Sequence, residues 1–192
     1  MGKIVISENI SLDGVIQDPT GDEGLPFGGW FNQLAETDRQ EWAKIELAEA
    51  QNAEAILIGR RTYDYFAARW PTRTGEWADR LRSLPKYVIS STLANPEWEN
   101  TTVLSTDVVN EVTKLKQAVQ GDIVVYASSQ LTPTLFKQNL VDEVRLMTYP
   151  WVLGAGTRLF PATDTRKPLR LLNAQTVGNS LALLTYQVVR DE

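Results

Sequence analysis

The chain of 192 residues contains neither cysteine nor histidine. That double absence excludes disulfide frameworks, thiolate nucleophiles and the thiolate or imidazole ligands of most transition-metal sites. It also excludes nucleophile–histidine–acid triads, so any general acid or base must be Asp, Glu, Tyr, Lys or ordered water. Long apolar runs are missing too. None nears the roughly 20 residues that span a bilayer, and Met1-Gly2-Lys3 leads straight into a strand pattern rather than a signal peptide. A cytoplasmic protein is the expectation. Excess positive charge is the last absence: 19 basic against 24 acidic side chains leave a net charge of −5. A nucleic-acid or anionic-membrane surface needs a basic face and is not expected.

What is present is the composition of a globular domain, 43% hydrophobic and 22% charged, long enough for one good core and short for two. The six tryptophans are expected to fill core and pocket. Apolar periodicity alternates strands with helices. Strand Lys3–Ile10 bends around Ser11 into Leu12–Ile16, and Gln17–Gly29 is a loop rich in Gly, Pro and Asp. Helix Gln33–Asn52, with Leu34, Trp42, Ile45, Leu47 and Ala48 buried, precedes strand Glu54–Ile58 and helix Arg60–Arg69. Then come a short helix Glu76–Ser83 and strands Tyr87–Ser90 and Thr102–Leu104. Asp107 is an N-cap for a helix to Gln120, stopped by Gly121, and strand Ile123–Ala127, helix Gln130–Asn139 and strand Glu143–Tyr149 follow. The pattern closes on two β-type runs, Leu169–Val177 and Leu181–Val189, around Gly178-Asn179-Ser180. The expectation is one α/β domain over residues 1–192 with a mixed sheet.

The chemistry concentrates where strands end. Ala55-Ile56-Leu57-Ile58 stops at Gly59, and Arg60, Arg61, Thr62 and Tyr63 open a helix at once. Such a junction presents unpaired N–H groups and the positive end of a helix dipole, where phosphate binds. The competing reading is a glycine turn with a solvated basic helix start. A second strand ends in Ser90-Ser91-Thr92, and a third runs through Ala127-Ser128-Ser129 into Gln130-Leu131. In a parallel sheet such ends converge on one edge, and together they favour a nucleotide cofactor. Hydride transfer from a nicotinamide needs none of the missing residues, because the cofactor carries the hard chemistry. Phe27, Trp30 and Phe31 could stack on a flat heterocycle or plug the core. Gly154-Ala155-Gly156 lacks the third glycine of a dinucleotide fingerprint, since Leu159 stands there. It reads as a substrate-side loop or a structural turn. Asp13, before Gly14, is a proton-relay candidate or half of an ordinary turn pair.

In order, these segments resemble the dihydrofolate reductase fold, and within it the riboflavin-biosynthesis reductase branch, the RibD C-terminal domain. Ser11-Leu12-Asp13-Gly14-Val15-Ile16, Ile58-Gly59-Arg60-Arg61-Thr62-Tyr63 and Lys86-Tyr87-Val88-Ile89-Ser90-Ser91 match its motifs. The most specific piece is Leu140-Val141-Asp142-Glu143-Val144-Arg145-Leu146 followed by Pro150–Pro161. The resemblance implies a three-layer αβα sandwich, mostly parallel, with a C-terminal antiparallel hairpin. It implies a reductase that passes a hydride from NADPH to a small heterocyclic or imine-like substrate, similar to 5-amino-6-(5-phosphoribosylamino)uracil reductase. A nucleotide-binding sensor or interaction module of the same fold is the alternative. By resemblance Gly59, Arg60, Arg61 and Thr62 would meet phosphates, and Ser90 and Ser91 the 2′-phosphate side. Ala127, Ser128, Ser129, Gln130 and Leu131 would follow the pyrophosphate and nicotinamide, which Asp13 and Gly14 would approach. Trp30, Tyr149, Gly154 and Gly156 would form the substrate side, with no metal.

Two departures stand out. The branch usually has Gly-Gly or Gly-Ser where this chain has Ala127-Ser128-Ser129, so a left-handed backbone there costs more, while Ser128 or Ser129 could cap the helix. On the first helix Glu41 and Glu46 give no clean match to the pterin-holding acid, so little dihydrofolate turnover is expected. A homodimer through the C-terminal hairpin is implied as well, unless charges such as Arg190, Asp191 and Glu192 protect that edge.

Overall fold

The computed structural model describes residues 1–161 and 166–190; Asp191 and Glu192 lie outside them. Eight strands form: β1 (Lys3–Ser11), β2 (Ala53–Gly59), β3 (Lys86–Ile89), β4 (Thr101–Leu104), β5 (Asp122–Tyr126), β6 (Glu143–Tyr149), β7 (Leu169–Val177) and β8 (Leu181–Val188). Their order in the sheet is β4-β3-β2-β5-β1-β6-β8-β7. β2 runs parallel to β3 and β5, and β3 to β4. β8 is antiparallel to both β6 and β7. The helices are α1 (Glu36–Asn52), α2 (Arg60–Ala67), α3 (Glu76–Ser83), α4 (Val108–Ala118) and α5 (Leu131–Lys137). The expected mixed, mostly parallel sheet with a terminal hairpin is therefore what forms. Contacts group the chain into two compact units, Met1–Ile6 with Ile45–Asp142 and Ser7–Lys44 with Glu143–Glu192.

In the first unit Ala55 to Ile58 are fully buried without alternation, as a parallel strand covered on both faces requires. Ile56, Ile58, Leu81, Val88, Trp98 and Val124 share its core, each worth about 1.5–3 kcal/mol of burial for a large apolar side chain. Tyr63 fixes the loop after β3, its hydroxyl accepting from the Glu97 and Trp98 amides at 2.9 and 3.2 Å. Lys86 is wholly buried. Its ammonium donates to the carbonyls of Leu81, Arg82 and Leu84 at 2.8, 2.9 and 2.8 Å, so it satisfies orphan acceptors at the end of α3. Burial pushes its pKa down to about 8.

In the second unit Asn9 is the hub. Its Oδ1 accepts from the Trp42 indole at 2.9 Å and the Tyr149 hydroxyl at 3.1 Å. Asp38, at 2% exposure, accepts from the Asn179 amide at 2.6 Å and from the Ser180 hydroxyl, which clamps the β7–β8 turn to α1. Gly178 has φ +62°, and a Cβ there would meet the Asp38 carboxylate at 2.2 Å; only glycine fits.

Most element ends match expectation to within a residue or two, and the larger misses have local causes. The first helix starts at Glu36, not Gln33, because Trp30–Gln33 form a 3₁₀ turn that Leu34 ends in extended backbone. Ala48 is exposed, not buried. α4 does cap on Asp107, whose carboxylate accepts from the Val109 and Asn110 amides, but it stops at Ala118 because Val119 is already extended. The helix after β5 is Leu131–Lys137 rather than Gln130–Asn139; Asn139 turns left-handed at φ +55°.

Candidate functional site

Within the first unit β3, β2 and β5 are adjacent and parallel, so their C-terminal ends share an edge and bring together the residues expected there. Gly59 is the N-cap of α2, with no side-chain cap and no acidic residue in the first turn. The first-turn N–H donors are thus left for a ligand. Arg60 is half-buried and its Nε donates to both oxygens of Asp64 at 2.8 and 2.9 Å. Arg61 is exposed and makes no ion pair among the described residues. A Cβ on Gly59 would stand 3.9 Å from Leu131 Cβ and 4.0 Å from Ser128 Oγ, ordinary contacts. Nothing in the unit's own packing demands glycine at this point, so the cleared space suits a close ligand.

The turn between β5 and α5 keeps a left-handed backbone without glycine. Ala127 has φ +49° and Ser128 φ +62°, strain of order 1–3 kcal/mol each for such conformers. Ser128 holds it. Its Oγ donates to the Tyr126 carbonyl at 2.9 Å and accepts from the Gly59 amide at 3.0 Å, and its amide donates to Thr62 Oγ1 at 3.1 Å. Ser128 and Thr62, both 6–8% exposed, are therefore the clamp behind the turn. Ser128 does not cap α5, whose N-cap Gln130 makes no side-chain bond. Ser90 is similar: its hydroxyl accepts from the Thr92 and Leu93 amides, leaving Ser91 exposed. Ser129 is half-buried and Leu131 buried.

In the second unit the Ser11–Gly14 motif is a knot. Asp13 Oδ1 accepts from the Ser11 hydroxyl at 2.7 Å and the Leu153 amide at 3.1 Å, and Oδ2 from the Gly154 amide at 2.8 Å. Arg158 Nε donates to the Asp13 carbonyl at 2.9 Å. The Leu153 amide, the Ser11 hydroxyl and the Gly154 amide hold the Asp13 carboxyl down to about 2. A group that stays ionised so far below neutrality anchors a loop better than it relays protons. Gly14 and Gly154 have φ +86° and +75°. Gly156 cannot carry a Cβ, which would meet Val15 Cγ1 at 2.7 Å.

A cavity of about 320 Å³ opens in the same unit, walled by Phe27, Trp30 and Trp151 with Pro26, Val152 and Leu153. Gln33 is its one polar side chain. Trp30 donates its indole N–H to the Gln17 carbonyl at 3.0 Å and meets Tyr149 edge-on at 4.9 Å. Tyr149 itself is fully buried and supports that wall from the core. Neither Gly154 nor Gly156 lines the cavity. Phe31 packs edge-on against Trp42 at 4.8 Å, a core role. Behind Phe27 the loop turns on Asp18, 1% exposed, whose carboxylate accepts from the Glu23 and Leu25 amides at 2.9 Å each.

Two residues escaped the sequence reading. Glu8 sits in β1 on the parity of Ile4, Ile6 and Ile10 and is 8% exposed. Burial raises its pKa to about 8, against a single backbone bond from the Asn9 amide, and Oε2 has no hydrogen-bond partner. Its signal was a carboxylate interrupting an apolar parity. Trp151 and its neighbours complete the cavity wall from more than a hundred residues away, and nothing local announces that. Among the described residues no Asp/Glu group could hold a metal ion, and no helix is long and apolar enough to cross a membrane.

Comparison with known proteins adds a frame. The family model described as RibD C-terminal domain matches residues 2–183. The Bacillus subtilis (strain 168) chain named "Uncharacterized protein YyaP" is 27% identical, with 96% of this chain and 94% of that one covered. Among solved structures, a Shewanella sp. PV-4 protein named as a candidate riboflavin biosynthesis protein superposes with a TM-score of 0.70 at 19% identity, covering 98% and 99% of the two chains. A Thermotoga maritima diaminohydroxyphosphoribosylaminopyrimidine deaminase/5-amino-6-(5-phosphoribosylamino)uracil reductase gives 0.62 at 12% identity, covering 98% of this chain and 57% of its own.

Proposed function

The chain belongs to the RibD C-terminal domain family, and on that premise we propose that it is a cytoplasmic NADPH-dependent reductase acting on a small heterocyclic or imine-like substrate. The observation that carries this reading is the uncapped start of α2 at Gly59, with Arg61 exposed beside it. Its donor set suits a polyphosphate: open first-turn amides, a free guanidinium and the hydroxyls of Ser91 and Ser129. Ser90 and Ser91 would take the 2′-phosphate side, which favours NADPH over NADH. When bound, NADPH supplies the hydride.

The chain's own residues bind, orient and exclude water. Ser128 and Thr62 hold the strained turn in place, so that Ala127, Ser129 and Gln130 are ordered before a ligand arrives. Asp13 fixes the 151–158 loop that walls the cavity, a positioning role rather than a proton relay. Phe27 and Trp151 offer ring faces to a ligand and shed water from it, and buried Trp30 backs that wall. Glu41 pairs with Lys44 at 2.6 Å on the exposed side of α1, which supports the expectation of little dihydrofolate turnover. We also propose a homodimer through β7, a sheet edge with Leu171 and Leu172 about half exposed; light scattering at micromolar concentration gives a dimeric mass if so.

The test is paired. Arg61→Ala weakens NADPH binding about tenfold, as loss of one charge-assisted phosphate contact does, and leaves the melting curve of the free protein unchanged. Equal affinity of the variant, or equal affinity for NADH and NADPH, rejects the assignment. Binding without oxidation across a substrate panel makes the protein a nucleotide-binding module instead.

A further inference from the structure

We propose that the substrate held in the second unit is a flat, uncharged heteroaromatic ring that carries no phosphate. This deepens the reductase reading and rests on it for the word substrate, but the binding preference stands on the cavity alone. About 320 Å³ suits a bicyclic ring, at the small end of ligand pockets. Its walls are three aromatic and three aliphatic side chains, and no charged residue lines it. The polar group on offer is the Gln33 carboxamide; the Trp30 indole N–H is spent on the Gln17 carbonyl, and that of Trp151 is shielded from solvent. A carboxamide, which both donates and accepts, matches the edge of a neutral heterocycle, whose ring nitrogens and carbonyls need such pairing.

A phosphate asks for something else. It needs Arg, Lys or a helix N-terminus, because a dianion moved against apolar walls loses its hydration without compensation. No cation of this unit lines the cavity, and Arg39, Lys44 and Arg145 pair with Glu36, Glu41 and Glu143 at 2.8, 2.6 and 2.7 Å. Arg158 is tied to the Asp13 carbonyl. The cavity therefore selects against the phosphoribosyl group for which the Thermotoga maritima neighbour is named.

A matched pair of probes decides it. Equilibrium dialysis of the full protein with 4-methylumbelliferone and 4-methylumbelliferyl phosphate, at pH 6.5 where the phenol is neutral, compares one ring with and without the phosphate. The neutral ring binds at least tenfold more tightly, Gln33→Leu weakens it several-fold, and Val152→Lys narrows or reverses the preference by placing a cation at the wall. Equal or tighter binding of the phosphate ester overturns the proposal, and so does no binding of the neutral ring. NADPH titration runs separately. Lost NADPH binding with the ring preference intact rejects the reductase reading alone, and the converse rejects this proposal alone.

Discussion

In the first unit the polar groups that shape the strand ends are hydroxyls, whereas in the second they are carboxylates. Ser128, Thr62 and Ser90 tie turns together with neutral hydrogen bonds. Their unit keeps an exposed cation at that edge, Arg61, and an open helix start for a charged ligand. Asp13, Asp18 and Asp38 instead gather backbone amides from loops, and the surface they leave around the cavity is aromatic. The difference teaches where to look for function. An acid whose oxygens accept two or three N–H or O–H bonds is committed to structure, and recognition falls to whatever such networks leave unpartnered.

The strongest way to break that contrast is to remove a carboxylate hub. Asp18→Ala deletes two charge-assisted bonds to amides of the 17–29 loop and leaves alanine at φ +54°. The expected loss is about 3–5 kcal/mol in urea melts, with faster proteolysis of the 17–29 loop. NADPH affinity stays the same; a parallel loss would mean that the carboxylate's effect is not confined to its own loop.

Glu8 tests the same unit through pH. Its folded pKa is raised to about 8 from an ordinary 4.5, so between those values the folded chain holds a proton that the unfolded chain has released. Stability is then greatest below about pH 4.5 and falls as pH climbs to 8. Glu8→Gln flattens this window and is more stable than the parent at pH 8.5, on the order of 2–4 kcal/mol. Denaturant titrations at pH 5, 7 and 8.5 read it, and a parent curve that is flat over the window contradicts the burial argument.

Smaller effects sharpen the hydroxyl side. Ser128→Ala removes the acceptor of the Gly59 amide and the donor to Tyr126, at a cost of about 1–2 kcal/mol and a weaker NADPH complex. Should stability fall while NADPH affinity holds, the clamp is structural only. Smallest is Ala127→Gly. At φ +49° glycine relieves left-handed strain, and a gain of about 0.5–1 kcal/mol in thermal melts is expected. A loss instead would show that the alanine methyl packs usefully where it is exposed.

The sequence by itself determined the element order, the mixed sheet, the hairpin and the converging strand ends. These follow from apolar periodicity, Asp107 as a cap and glycine at turns, all local signals. The Gly-Gly departure at Ala127-Ser128 was legible too, including its left-handed cost. Tertiary structure alone decided which of the named side chains stay available. Arg60 is the local exception, because its partner Asp64 lies four residues on in the same helix, where Arg61 has Tyr65 instead. Asp13 looked free until the Leu153 and Gly154 amides, 140 residues on, closed around it. The cavity joins Phe27 to Trp151, and no periodicity encodes contacts at that separation. Side-chain chemistry is written locally, but its partners are set by packing over distance, and only the partners say whether a group holds the fold or faces a ligand.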